Sequence, residues 1–310
     1  MKTDSLNWVL AVALGFAATA CGSASEGAGG TGGTAGTRGA GGTGTVREAM
    51  GYVIADFGFL HPEMDPTDFG MEGVRGFDLD ATVSTGDTPP CAHDDFVAPD
   101  GTPGIDYGLW SFIRQFEPMQ KNQLIDSVIS SAVKNGEMSI VMELGGVDDM
   151  LNDDEVTVQI FSTQGSPLVG TDGNVLPNGT LPVHPDTKYH SKIATGAIEE
   201  GVLVAGPFDV GLKFFIQIVD SEMLLTDSWI RLTLGDDTAS GVLSGHWSVA
   251  QIDEIIGTPT TENGNAAGFN YTEFLAAMEA ADAGYDEESG ECTSFTTIFR
   301  LEAVTAFLTD

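Results

Sequence analysis

Basic side chains are scarce in this chain: 12 Lys and Arg stand against 46 Asp and Glu, for a formal net charge of −34. Such a surface repels phosphate backbones and anionic lipid headgroups, which excludes nucleic-acid binding and electrostatic attachment to a membrane. Cations, as metal ions or as a cationic polymer, are what it attracts; the same charge also serves simply to keep an exported protein soluble. Cysteine is sparse, at 3 residues, so an exported chain has one thiol left over unless one is chemically occupied. The apolar run Trp8 to Ala20 is too short to cross a bilayer, which takes ~20 residues. The histidines, His61, His93, His184, His190 and His246, form no H-E-x-x-H or H-x-H, so zinc signatures are missing. No G-x-S-x-G occurs, which excludes a nucleophile elbow, and no period of 20 to 50 residues marks a repeat array.

What is present begins with an address. MKTDSLN followed by the uncharged WVLAVALGFAATA predicts a signal peptide over residues 1–20, ending in the small residues Ala18, Thr19 and Ala20. Cys21 follows at once, and here the segment resembles the bacterial lipobox: Thr19, Ala20 and Cys21 fit, while Ala18 stands where Leu is usual. The resemblance implies cleavage before Cys21 and its diacylation, each buried CH₂ then contributing ~0.8 kcal/mol to anchoring. Cleavage without lipidation leaves Cys21 as a free N-terminal thiol. Residues 21–45, almost all Gly, Thr, Ala and Ser, cannot offset the entropy of ordering and form a tether with a reach of roughly 25–30 Å. The two G-x-G-x-x-G matches inside it follow no strand and open no helix, and so carry no nucleotide-binding signal. With Cys21 occupied, Cys91 and Cys292 remain as a pair. They form either a disulfide closing a loop of about 200 residues, for about 4–5 kcal/mol, or two buried thiols.

The folded part is read in two stretches. Residues 46–76 hold apolar clusters broken by Gly and Pro and are expected to be a loosely structured lead-in. Residues 77–310 are expected to form one β-rich domain. Its first segment, FDLDATVSTGDTPPCAHDDFVAPDGTPGIDYG, is a long loop dense in Asp, Gly and Pro, a length that is usually functional or metal-ordered. Leu109, Phe112, Ile113 and Phe116, then Leu124 to Val133, keep 3–4 spacing and predict helices within about 107–135. From EMSIVMELGGV onward the pattern turns to strands. In WIRLTL, Trp229, Arg231 and Thr233 mark a wet face and Ile230, Leu232 and Leu234 a buried one. YTEFLAAMEAADAGY predicts a short helix at 271–283, and the C-terminal segment returns to strand. The expected fold is mainly β: an antiparallel β-sandwich, jelly-roll-like, with an N-terminal helical hairpin and one short C-terminal helix.

The succession FDLD, CAHDDFVAPDGTPGIDYGLW, GGVDDMLNDDEVTVQIF, GTDGNVLPNG, TASGVLSGHW and a closing FRLEAV resembles a family of uncharacterised predicted envelope lipoproteins of myxobacterial type, over roughly residues 75 to 307. The resemblance implies a shared envelope domain and no known activity. Cys91 and Cys292 match the two cysteines of that family, which favours the disulfide.

Calcium is the sharpest chemical candidate, because hard cations need six to eight oxygens on a chain able to wrap them. Asp78, Asp80, Asp94, Asp95, Asp100 and Asp106 crowd the long loop, although the EF-hand pattern fails there. Asp148, Asp149, Asn152, Asp153 and Asp154 form a second acidic group, whose plainer reading is a hairpin turn. Ser244 and His246 share a strand face, with an ordinary solvent-facing strand as the plainer reading. Glu143 sits in apolar company at what alternation makes an outward position. Trp110, Trp229 and Trp247 with Tyr107, Tyr189 and Tyr271 suggest a sugar-stacking platform, Trp110 excepted as core.

These features together predict a protein exported to the outer membrane or cell surface of a Gram-negative-type bacterium and held there through its lipid alone. It would display an acidic binding or surface-structural module, ordered by Ca²⁺, with a carbohydrate or an envelope protein as partner. The rival class is an envelope hydrolase acting on polysaccharide or peptide.

Overall fold

The computed structural model describes residues 49–62, 74–85, 94–116, 124–216, 219–257, 260–261, 264–265, 284–286 and 291–309. In chain order the elements are β1 (Met50–Phe59), β2 (Phe96–Val97), β3 (Pro103–Ile105), α1 (Gly108–Phe116), α2 (Leu124–Asn135), β4 (Ile140–Gly145), β5 (Asp153–Ser162), β6 (Gly179–Pro182) and β7 (Ala194–Glu199). They continue as β8 (Val202–Ile216), β9 (Val219–Leu234), β10 (Thr238–Ser248), α3 (Val249–Gly257), β11 (Thr260–Thr261), β12 (Gly264–Asn265), β13 (Gly284–Asp286) and β14 (Glu291–Thr309). The chain is mainly β, with one large sheet and few helices.

Strand β1 pairs antiparallel with β4 on one side and with β14 on the other. The ladders β4–β5, β5–β7, β7–β8, β8–β9, β9–β10 and β10–β14 are also antiparallel, so these eight strands close on themselves. Neighbours largely follow chain order. That up-and-down order replaces the crossing connections of the expected jelly roll. Local chemistry explains part of it: Glu200 (φ 51°) and Gly201 (φ 79°) make a two-residue turn with both φ positive, the type that matches strand twist and returns the chain at once into β8.

Closing the sheet leaves one face of every strand inside. Tyr52, Met142, Val158, Ile198, Leu203, Leu232, Leu243 and Leu301, one from each strand, are at most 2% exposed and belong to a single core. Burying each such side chain contributes roughly 1.5–3 kcal/mol. Of the sets expected in WIRLTL, Ile230 and Leu232 are fully buried and Thr233 is exposed, whereas Trp229 and Arg231 on the expected wet face are half-buried against Phe77, and Leu234 is half-buried. A second apolar cluster lies on the outer face, where Val53, Val141 and Phe161 are covered by Val175 and Leu181 from the β5–β7 connection. That connection carries β6, which runs parallel to β14.

The expected loose lead-in over 46–76 is corrected over Met50–Phe59, which is a central strand. Its alternation was hidden by a bulge between Ile54 and Asp56, which moves the inward positions from Tyr52 and Ile54 to Phe57 and Phe59. Burial of Val53 on the outer face masks the period further.

Helices α1 and α2 lie inside the expected 107–135 span, but the connection between them falls outside the described residues, as does the helix expected at 271–283. Phe112 of α1 packs on Phe295 of β14, 6.1 Å between ring centroids. Helix α2 touches β1 and β8, which lie far apart in the ring, and so crosses one of its ends. Asp126 fixes it there, accepting from Phe59 N at 3.2 Å and meeting His61 Nε2 at 2.6 Å. Helix α3 takes over part of the stretch expected to continue as strand, and its Gln251 accepts from Leu224 N on β9.

Candidate metal centre

Residues 74–85 and 94–106 form a strap over the outer face of β9, β10 and β14. Its path is set by close packing: a Cβ on Gly76 would fall 2.6 Å from Ile105 Cγ2 and 2.7 Å from Ile298 Cδ1 of β14, so a larger residue there would have to displace both side chains. Phe77 then tilts against Trp229 at 5.7 Å, with the Arg231 guanidinium 4.9 Å over its ring. The strap is stitched by Val74 N donating to Val97 O and Asp106 N to Phe77 O.

These stitches bring Asp78, Asp80 and Asp106 together, with carboxylate oxygens within 4.8 Å of one another. Asp78 and Asp80 are exposed, whereas Asp106 is 7% exposed. Leu79 N donates to Asp106 Oδ2 at 2.6 Å, and both Thr82 N and Thr82 Oγ1 donate to Asp80 Oδ1 at 2.8 Å. Gly104, at φ 93°, faces the group: a Cβ there would stand 3.2 Å from both Asp78 Oδ2 and the Thr82 carbonyl oxygen. Three carboxylates and one carbonyl thus border the same small space. They suit a hard cation whose remaining positions are filled by water.

Burial pushes the Asp106 carboxyl up to about 7, against the Leu79 N–H, which lowers it; the charges of Asp80, Asp95 and Asp78 raise it further. Asp95 is also raised, first by burial, although Ser84 N donates to its Oδ2 at 2.5 Å. A cation would relieve this crowding of like charge.

The remaining expected ligands are not part of the group. Asp95 is tied to Ser84, Asp94 is exposed beside it, and Asp100 accepts from Thr102 N at 2.9 Å, which lowers its carboxyl. Gly104 and the Thr82 carbonyl were not singled out from the sequence. A Gly in the segment DGTPGIDYG is legible as a turn residue, but its approach to Asp78 depends on folding across 26 positions. His246 was noted only beside Ser244; burial holds its imidazole below the usual value, against the pull of Asp227 and Asp80.

The second acidic group lines a cleft of about 440 Å³ formed by Asp148, Asn152, Asp153, Asp154, Ala197, Ile198 and Glu199. Its polar atoms serve the turn: Asp153 accepts from Asp148 N at 2.6 Å and Glu155 N at 3.1 Å, and Asp149 accepts from Leu151 N. Ser244 is fully buried and its Oγ has no protein hydrogen-bond partner, so it makes no dyad with His246. Glu143 is half-buried on β4 between Met142 and Leu144, at an outward position. The described aromatics are divided among different places: Trp110 and Tyr107 stack on each other in the core at 6.1 Å, Tyr107 OH donating to Leu60 O, Trp229 lies under Phe77, and Trp247 turns inward onto Phe299. Tyr271, His93, Cys21 and Cys91 lie outside the described residues, as does the side chain of Cys292. Among the described residues no helix is long and apolar enough to cross a membrane.

No family model, curated protein or solved structure matches this chain.

Proposed function

We propose that this is a lipid-anchored cell-envelope protein displaying an acidic β-module whose strap is ordered by Ca²⁺. The observation that carries the proposal is the convergence of Asp78, Asp80 and Asp106 under Gly104. In this reading Asp78 and Asp80 supply exposed carboxylates, Asp106 a buried one and Thr82 a carbonyl. The cation joins the two halves of the strap across the outer face of β9, β10 and β14. The closed sheet is flattened, β1, β4, β5 and β7 facing β8, β9, β10 and β14 as the two walls of a sandwich, which the shared, tightly buried core supports.

The anchor rests on the sequence: an apolar leader, small residues, Cys21 and a Gly-rich tether at residues 21–45, consistent with an outer-membrane or cell-surface location. Cys91 and Cys292 form the disulfide in this account, and a carbohydrate or an envelope protein is the partner presented with the acidic surface. The hydrolase alternative takes no support from Ser244, which is sealed under the strap side of the sheet.

Calorimetric titration with CaCl₂ tests the metal proposal. Wild type should bind one Ca²⁺ and Asp80→Asn should lose most of the affinity; equal binding by both removes the proposed site. The anchor is tested separately by fractionating cells that express Cys21→Ala. Release from the membrane fraction is expected, and undiminished retention removes the lipid-anchor proposal.

A further inference from the structure

Among the described residues, Ser228 Oγ, Thr297 Oγ1 and Trp247 Nε1 on the inner side of the sheet lack a protein partner, as does Tyr52 OH elsewhere on that face. Ser228 and Thr297 are both 0% exposed. Ser228 and Thr297 meet at Gly245. Gly245 of β10 pairs in register with Thr297 of β14, and a Cβ on Gly245 would lie 2.5 Å from Ser228 Oγ of β9. The two hydroxyls therefore flank the glycine on the inner face. Trp247 lies two residues along the same face, in register with Phe295, yet its ring reaches Phe299, 6.1 Å between centroids. The indole thus leans across the position of Thr297.

The ladder is irregular at the same spot. The register of β10 against β9 shifts between Ser244 and His246, and Asp227 takes φ 49°. The Thr226 carbonyl oxygen stands 3.2 Å from the Gly245 Cβ position. A bulge of this kind opens the pairing and leaves backbone groups short of partners.

We propose that this patch is a binding site for one ordered internal water. Buried waters typically make about three hydrogen bonds to groups the fold leaves unsatisfied. Here one water accepts from the Trp247 indole N–H, exchanges hydrogen bonds with the Ser228 and Thr297 hydroxyls, and has the Thr226 carbonyl as a further acceptor. Glycine at 245 keeps a methyl group out of that space. The site is independent of the acidic strap and stands whether or not Ca²⁺ binds.

Oxygen-17 relaxation dispersion on the full chain counts long-lived internal waters. The Ser228→Ala/Thr297→Val double variant should lose one relative to wild type; an unchanged count overturns the proposal. Stability gives a second readout of opposite sign for the two cases. A dry site leaves each hydroxyl an uncompensated cost, so both single substitutions would raise the melting midpoint. A hydrated site predicts that both lower it, because each leaves the water one partner short, and a rise in both overturns the proposal. Should the double variant fail to fold, a wild-type crystal structure decides: solvent density within ~3.2 Å of both hydroxyls is expected, and its absence there overturns the proposal.

Discussion

Gly104 stands against Asp78 so closely that a Cβ would come within 3.2 Å of the Asp78 Oδ2 atom, and its φ of 93° already disfavours any side chain. Gly104→Ala should cost about 1–2 kcal/mol from the backbone conformation alone. It should also push Asp78 away from Asp80 and Asp106, lowering Ca²⁺ affinity at least tenfold. Urea denaturation reads the first effect and calorimetric titration the second.

Asp106 makes the apo protein sensitive to pH. Its folded value of about 7 lies above the ~3.9 of an unfolded chain, so between those values the folded state holds a proton that the unfolded state has lost. Stability from this group is therefore present at low pH and is lost as pH rises toward and through 7. Asp106→Asn should flatten the profile, wild type losing on the order of 2 kcal/mol more than the variant between pH 5 and pH 8 in urea melts. If Ca²⁺ binds as proposed, it should reverse the trend, since it needs the ionised carboxylate, and the stabilisation it gives should be larger at pH 8 than at pH 6.

Asp126 ties α2 to the end of β1 through Phe59 N and His61, whose side chain is 6% exposed. Asp126→Ala removes the acceptor of Phe59 N and the carboxylate that meets His61, and should destabilise by about 3 kcal/mol. Amide exchange at Phe59 should quicken more than at Met142, in the middle of β4.

Phe299 is stacked on Phe57 at 4.8 Å and touches Phe59 and Trp247. At 2% exposure it fills the core between β1, β10 and β14. Phe299→Ala should cost about 3–5 kcal/mol, read as a fall in the urea midpoint, whereas Phe299→Leu should cost less than half of that.

Much of the sheet was legible because its strands keep period two. WIRLTL shows this plainly: Ile230 and Leu232 turn inward while Thr233 stays wet. Strand β1 was not legible, since the bulge at Ile54 and Asp56 breaks the alternation and a distant segment buries Val53. Ring closure is equally hidden, because it depends on β14 pairing with β1, some 250 positions earlier, and no local pattern encodes that. The acidic loop was legible as a metal candidate by composition alone. Selecting Asp78, Asp80 and Asp106 from six aspartates required the fold, since Asp100 turned to Thr102 and Asp95 to Ser84.

The central claim is that Asp78, Asp80 and Asp106 hold Ca²⁺ and that the bound ion stabilises the folded module. Thermal melting at pH 8, in EDTA and in millimolar CaCl₂, tests this most directly. A ligand bound only by the folded state stabilises it by about 2.7 kcal/mol at a hundredfold excess over its Kd. The midpoint should rise with Ca²⁺ in wild type and stay fixed in an Asp78→Asn/Asp80→Asn variant. An unmoved wild-type midpoint, or an equal rise in the variant, would contradict the account.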